Sequence, residues 1–179
     1  MSVTVAEDGN KRVGGPSLSE TRQCVLDIKS WFEKSKDWSS SWNDGATSAD
    51  FQRLEKTCGT QLPRGLDCLL TECNGMVWFQ DKEGFDINRI IDSLLEYEST
   101  AWWKAGLVPF AGDDSTLLVI DAKNGNEDVY EWEIGESEGD KLASTFGGYL
   151  ESYRDQLLGG GSEYIDGCGV VESMGATRK

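Results

Sequence analysis

The fold is decided by residues 107–133, LVPFAGDDSTLLVIDAKNGNEDVYEWE. Asn124-Gly125 separates the apolar run Thr116–Ile120 from Val129–Ile134, where apolar and acidic residues alternate. Asn-Gly between two such runs predicts a β-hairpin, because a type I′ turn needs positive φ at both central residues. The preceding strand, Leu107–Phe110, contains Pro109, which cannot donate to a ladder, so we expect it at an edge or end of the sheet.

Helices are predicted on both sides of this hairpin from apolar residues at helical spacing and from capping residues. Ser17 with Glu20 has the form of a capping box, and Thr47 with Asp50 resembles one. Five helices are predicted. The first runs from near Ser17 to Trp38–Ser41, the second from Thr47 to Cys58, and the third from Pro63 to Asn74-Gly75. The fourth runs from Asn88 to Trp103, and the fifth from Ser144 or Thr145 to Gly159.

The predicted fold class is α+β, with an antiparallel sheet of about 4–6 strands covered by helices. Met76–Gln80 and Phe85–Ile87 form a further predicted hairpin, so the order is α-α-α-β-β-α-β-β-β-α. Residues 1–17 and 161–179 are Gly-rich without an apolar period and are predicted as flexible tails around one domain, 18–160. Trp38 and Trp42, in a polar loop, are expected to anchor that loop to the core.

Composition excludes several classes of function. The net charge of −15 argues against binding nucleic acid or an anionic membrane. It would steer a basic partner favourably, and acidity that serves solubility alone is the alternative. With no histidine, the chain lacks Ser-His-Asp and Cys-His nucleophile activation and the commonest transition-metal ligand. Five cysteines without a C-x-x-C pair, no spanning segment and no secretory signal predict a reduced, cytoplasmic protein.

Two acidic motifs are candidate metal sites. Asp113-Asp114 lies where two predicted strands meet, but no basic groove accompanies it, and a solvated turn is the favoured interpretation. The segment from Asp121 to Asn126 fails as a calcium loop, because Lys123 and Gly125 stand where oxygen ligands are needed. We therefore predict no metal and no cofactor.

A partner-binding surface is predicted on the second strand of the hairpin. Alternation puts Glu131 and Glu133 on one face with Val129, and Tyr130, Trp132 and Ile134 on the other. The apolar trio is expected to face the core, and the two glutamates to face solvent together with Asp121. An ordinary wet face remains the alternative to docking of a basic partner. The predicted contacts are Glu127, Asp128, Glu131, Glu133 and Trp103, the last as one of two adjacent tryptophans on a predicted helix.

The stretch LEKTCGTQLPRGLDCLLTECNG, followed by VPFAGDDSTLLVID and the Thr145-Phe146 helix start, resembles the SUKH superfamily over about 47 to 158. This superfamily includes yeast cell-wall-assembly regulators (the SMI/KNR type) and bacterial immunity proteins. The resemblance implies a non-enzymatic α+β module that binds a protein. Fungal members act as scaffolds, and bacterial members neutralise toxin domains, often nucleases. It implies no catalytic residues.

Two further functions stay open at this point. An immunity protein against a toxin nuclease fits the acidity, since such an inhibitor mimics nucleic acid charge. A carboxylate hydrolase such as a glycosidase is the alternative of another class, and it requires two carboxylates facing each other across a cleft, about 5–9 Å apart. Oligomeric state is not predicted.

Overall fold

The computed structural model describes residues 15–173, and in this part of the chain a six-stranded antiparallel sheet is combined with five helices. The strand order is that of the chain, β1-β2-β3-β4-β5-β6, and a separate hairpin, β7-β8, follows. The predicted α+β class is confirmed. The elements are α1 Leu18–Glu33, α2 Ser48–Cys58, α3 Arg64–Glu72, β1 Trp78–Phe79, β2 Lys82–Gly84, α4 Ile87–Tyr97, β3 Leu107–Gly112, β4 Thr116–Asp121, β5 Asp128–Glu133, β6 Asp140–Ala143, α5 Phe146–Leu158, β7 Ser162–Ile165 and β8 Gly169–Glu172.

The helix starts follow the predicted capping residues. Ser17 and Glu20 form a reciprocal box at α1, in which the Ser17 N–H donates to the Glu20 carboxylate at 2.7 Å. Thr47 and Asp50 do the same at α2, and hydrogen bonds from the Thr47 backbone and hydroxyl lower the pKa of Asp50 to about 2. Each box satisfies backbone donors that no helical carbonyl can reach.

The central hairpin is confirmed, but its connection is longer than the two-residue type I′ turn that the sequence predicts, because β4 ends at Asp121, a 3-10 turn spans Lys123–Gly125 and β5 begins at Asp128. Thr116 lies opposite Glu133, and Asp121 lies opposite Asp128. Asn124 and Gly125 both have positive φ, 57° and 74°, as the Asn-Gly signal requires.

The prediction of an edge position for Leu107–Phe110 is wrong. β3 lies between β2 and β4 in the interior of the sheet. The ladder with β4 shifts register between Pro109 and Ala111. A bulge at this point accommodates a residue that has no N–H to donate, so proline does not need an edge here.

The solvent-facing side that is predicted from Glu131 and Glu133 does not extend to the middle strands. All six residues of β3 are buried, as are Leu117–Ile120 of β4. Successive strand residues point to opposite faces, so both faces are covered. The sequence carried this signal, because Leu117–Ile120 is an uninterrupted apolar run, the pattern of a strand buried on both faces.

The second predicted hairpin and the fourth helix are shifted. β2 is Lys82–Gly84, and the predicted strand Phe85–Ile87 is wrong because Ile87 already begins α4, capped by Asp86. α4 ends at Tyr97, so Trp102 and Trp103 belong to the following loop and not to a helix. Their rings pack on Tyr97 at centroid distances of 5.0 and 5.5 Å.

The C-terminal hairpin β7-β8 lies where the sequence predicts a tail. Tyr164 is buried against Phe32 and Trp38, with ring centroids 5.5 and 5.4 Å apart. The Val170 N–H donates to the Gln80 carbonyl at 2.7 Å, beside β1. Residues 1–14 and 174–179 of the predicted tails lie outside the described residues.

Loop anchoring by tryptophan is confirmed, because Trp38 and Trp42 are half-buried against the core with centroids 4.7 Å apart. Between residues 15 and 173, no helix combines the length and the apolar character needed to cross a membrane.

Candidate partner-binding site

Carboxylates from three turns meet at one end of the sheet. The β3–β4 turn supplies Asp113 and Asp114, and the Ile134 N–H donates to the Ser115 carbonyl at 2.9 Å, which brings the β5–β6 loop beside that turn. Ten acidic residues and one lysine lie between positions 113 and 140. We call this region the acidic end, formed by Asp81, Asp113, Asp114, Glu131, Glu133, Glu136, Glu138 and Asp140.

Lys82 holds three strands together at the acidic end. Its side chain is only 10% exposed, and its ammonium lies 3.2 Å from Asp81, 3.4 Å from Glu131 and 3.6 Å from Asp113. Burial alone would lower the pKa of Lys82, but these carboxylates hold it above its ordinary value, so the side chain is charged. One ammonium against three carboxylates leaves this cluster with a net negative charge.

Asp113 shapes the β3–β4 turn. One oxygen of its carboxylate accepts from the Ser115 N–H at 2.7 Å and the Thr116 N–H at 2.8 Å. Burial alone would raise the pKa of Asp113, but these hydrogen bonds and Lys82 lower it. The carboxylate of Asp113 is therefore engaged within its own turn. Among residues 15–173, no group of three or more His, Cys, Asp or Glu residues is arranged to hold a metal ion.

The acidic loop is fixed to the sheet. The Trp132 indole N–H donates to the Glu136 carbonyl at 2.8 Å. A Cβ on Gly139 would come within 2.6 Å of the Trp132 ring, so the chain passes directly over this side chain. The exposed carboxylates of Glu136 and Glu138 are thus presented from an ordered loop.

The predicted alternation of side chains along β5 is confirmed, but the predicted solvent-facing group of Glu131, Glu133 and Asp121 is not. Val129, Glu131 and Glu133 share one face, and Val129 is fully buried there while Glu131 lines a cavity under α5. Asp121 pairs with Asp128 and lies on the opposite face with Trp132, so grouping Asp121 with the two glutamates was wrong.

The predicted contacts divide between two ends of the sheet. Glu131 and Glu133 belong to the acidic end, whereas Glu127 and Asp128 lie beside the Asn124-Gly125 turn, roughly 17 Å from Glu133 along β5. The loop that carries Trp103 enters the sheet at the Asn124-Gly125 end, where the Ala122 N–H donates to the Gly106 carbonyl at 2.9 Å. The five residues therefore do not form one surface.

Asp128 is already paired within the chain. Lys141 of β6 lies 2.8 Å from its carboxylate, and the Tyr130 hydroxyl donates to it at 3.3 Å. Burial alone would raise the pKa of Asp128, but Lys141 and Asn126 lower it. A partner at this position would have to compete with Lys141.

A cavity of about 220 Å³ opens between the sheet and α5, and Glu131 is the single carboxylate among the described residues that line it. A glycosidase requires two facing carboxylates. This cavity does not present that pair.

Comparison with known protein families shows the family to which the chain belongs. Residues 45–152, more than half of the chain, match the SMI1 / KNR4 family (SUKH-1). The chain belongs to the SMI1/KNR4 family. The match contains the motifs that carry the resemblance, from Leu62-Pro63 and Asn74-Gly75 to Pro109-Phe110, whereas α1 and β7-β8 lie outside it. Comparison with curated proteins gives no match.

Domains of the SMI1/KNR4 family are generally non-enzymatic regulator or immunity modules, and the family is known for protein–protein interaction. Membership therefore supports a protein partner for this chain at the level of the family.

Two residues at the site were missed from the sequence. Neither Lys82, which is buried, nor Tyr149, which lines the cavity, is among the residues that the sequence predicts for the site. The alternation in Lys82-Glu83-Gly84 was too short to mark a strand. Two partners of Lys82, Asp113 and Glu131, lie 31 and 49 positions further along the chain, so no local pattern brings them together.

Proposed function

We propose that this protein is a non-catalytic binding module that holds a basic protein partner at the acidic end, as a scaffold or regulator. The observation that carries the proposal is the convergence of three carboxylates, two from turns and one from β5, around one buried ammonium. Exposed charge pairs are individually worth little, about 0–1 kcal/mol. Their summed potential, however, steers a partner of opposite charge and selects against acidic ones.

The proposal is tested with a charge-reversed variant and a matched control. The test variant is Glu133→Lys, Glu136→Lys, Glu138→Lys, in which all three positions are exposed. The control is Glu33→Lys, Asp37→Lys, Asp44→Lys, which changes the net charge equally at exposed positions from the end of α1 to the loop before α2. Proteins captured from native lysate at low ionic strength are identified by mass spectrometry, purified, and measured for binding to each variant.

We expect the partner to be basic, its affinity to fall with ionic strength, and the test variant to bind at least about tenfold more weakly than the control. Equal weakening by both variants would show that only net charge matters. A partner that binds the test variant normally would contradict the acidic end as its site.

Neutralisation of a toxin nuclease is a second candidate that the acidic end favours, because clustered carboxylates can compete with a phosphate backbone. If the captured partner is a nuclease, the wild-type protein is expected to inhibit its cleavage of nucleic acid and the charge-reversed variant is not. Binding without inhibition supports the scaffold or regulator role.

The predicted contacts at the other end of the sheet require their own test. Glu127→Lys and Trp103→Ala change that end and leave the acidic end intact. If Glu127, Asp128 and Trp103 belong to the partner surface, both variants weaken binding of the purified partner. Unchanged affinity would confine the surface to the acidic end.

A further inference from the structure

The cavity between the sheet and α5 has a closed floor and an open rim. Its floor is formed by buried side chains of the sheet and of α5, namely Phe79, Leu118 and Tyr153. Its rim is formed by exposed Gln80, Leu142 and Gln156. The cavity is thus reached from solvent beside β6, which ends the strand order.

The size of the cavity favours one side chain as its occupant. Pockets for drug-sized molecules measure roughly 300–1,000 Å³, and this cavity, at about 220 Å³, is smaller. Leu142 is 46% exposed on the rim, so an entering side chain meets an apolar contact before it reaches the polar groups.

The polar groups of the cavity favour a cation. Glu131 contacts Lys82 through one oxygen at 3.4 Å, and its side chain is 44% exposed. Lys82 also lines the cavity, but it divides its single charge among Glu131, Asp81 and Asp113, so the cluster beside the cavity stays negative. Glu131 therefore keeps unused acceptor capacity in a negatively charged surrounding.

Tyr149 provides a second acceptor. Its hydroxyl makes no hydrogen bond within residues 15–173, and its ring lines the cavity 5.9 Å from that of Phe79. Burial raises the pKa of Tyr149, with a further contribution from Glu131, so the phenol stays neutral. Aromatic rings beside a carboxylate suit a planar guanidinium, which can stack and donate several hydrogen bonds at once.

We propose that this cavity binds an arginine side chain of the protein partner, with its guanidinium against Glu131 and the Tyr149 hydroxyl. This inference rests on the proposed function, and it names the anchor residue that the partner contributes. It differs from general attraction by the acidic end, because it depends on one carboxylate and on the shape of the cavity.

A short peptide tests the site without knowledge of the partner. The peptide acetyl-Gly-Arg-Gly-amide is titrated into the ¹⁵N-labelled full chain, and saturable NMR shifts are expected at Gln80, Leu142 and Gln156. The same peptide with citrulline, which keeps the shape and removes the charge, is expected to bind at least about tenfold more weakly. Equal shifts with both peptides, or no saturable shift with arginine, would overturn the proposal.

Matched variants locate the contact. Glu131→Gln is expected to weaken the arginine peptide about tenfold and Tyr149→Phe by a smaller factor. Glu133→Gln, two residues along the same strand face but outside the cavity lining, is expected to leave affinity unchanged. Equal losses in Glu131→Gln and Glu133→Gln would reduce the effect to surface charge and refute the cavity as the site.

A second kind of variant covers the case in which Glu131→Gln does not fold. Ser152→Arg adds a guanidinium at an exposed, cavity-lining position on α5, and it is expected to occupy the cavity and block the peptide. Normal peptide binding by this variant would also refute the proposal.

The two proposals fail in different ways. If charge reversal at Glu133, Glu136 and Glu138 abolishes binding of the purified partner but Glu131→Gln does not change its affinity, the proposed function stands and the arginine anchor is refuted. If the arginine peptide binds in the cavity but the charge reversal does not weaken binding of any protein partner, the proposed function is refuted.

Discussion

The replacement Tyr164→Ala tests whether the C-terminal hairpin is part of the folded domain. Tyr164 is 7% exposed and its ring contacts Phe32 and Trp38. A buried aromatic side chain removes about 150–250 Å² from water, worth about 4–6 kcal/mol at 25 cal/mol per Å². Because unfolded chains already bury part of this area, we expect the free energy of unfolding to fall by about 2–4 kcal/mol.

Urea unfolding followed by tryptophan fluorescence measures this loss, since Trp38 lies 5.4 Å from the Tyr164 ring. The corresponding decrease in Tm is about 5–15 °C for a chain of this size. Ile165→Ala is the matched control, because the neighbouring residue is 37% exposed, and its cost is expected to stay below about 1 kcal/mol. If the two replacements cost the same, or Tyr164→Ala costs less than about 1 kcal/mol, then residues 161–173 behave as the tail that the sequence predicted.

Three further predictions concern charge and burial. Lys82→Met leaves three carboxylates without their shared ammonium and should lower the free energy of unfolding by about 1–3 kcal/mol. The exposed control Lys123→Met should lower it by less than about 0.5 kcal/mol. Equal losses for the two variants in urea unfolding would contradict the bridging role of Lys82. Asp67 has a buried carboxyl oxygen with no hydrogen-bond partner among residues 15–173, and burial raises the pKa of Asp67 to about 6. The folded state therefore binds the proton more tightly than the unfolded state, and stability falls as pH rises from about 4 to 6. Asp67→Asn should therefore raise Tm at pH 7 and change it little at pH 4, and the opposite order would refute this assignment. Gly84→Ala would place a Cβ 2.2 Å from the Val77 carbonyl oxygen and should destabilise β2, whereas Gly161→Ala, with open space around it, should have a small effect in the same thermal assay.

Local chemistry made much of the fold predictable. Ser17, Thr47 and Thr145 each cap a helix through contacts three residues along the chain, so a short window of sequence contains both partners. The Asn124-Gly125 turn is equally local, because positive φ is a property of the residues themselves.

Other features depend on distant parts of the chain. Pro109 was placed at an edge from its missing donor, but the bulge beside it makes an interior position acceptable. Tyr164 was assigned to a tail because its neighbours are glycines and acids, and its partners, Phe32 and Trp38, lie more than 120 positions away. The cavity likewise forms where β1, β2, β4, β5, β6 and α5 meet. The sequence pattern therefore predicts Glu131 as a surface residue and does not show its contact with Lys82.

Within residues 15–173, one side of β6 has no strand partner, and this has a consequence for self-association. An exposed strand edge offers its backbone to another copy of the chain, which is the usual start of aggregation. Here Asp140 and Lys141 interrupt the four-residue strand, a register shift distorts its pairing with β5, and the net charge of −15 makes copies repel each other. Concentrated preparations should therefore stay monodisperse at low ionic strength and become prone to edge-to-edge stacking only when salt screens that repulsion.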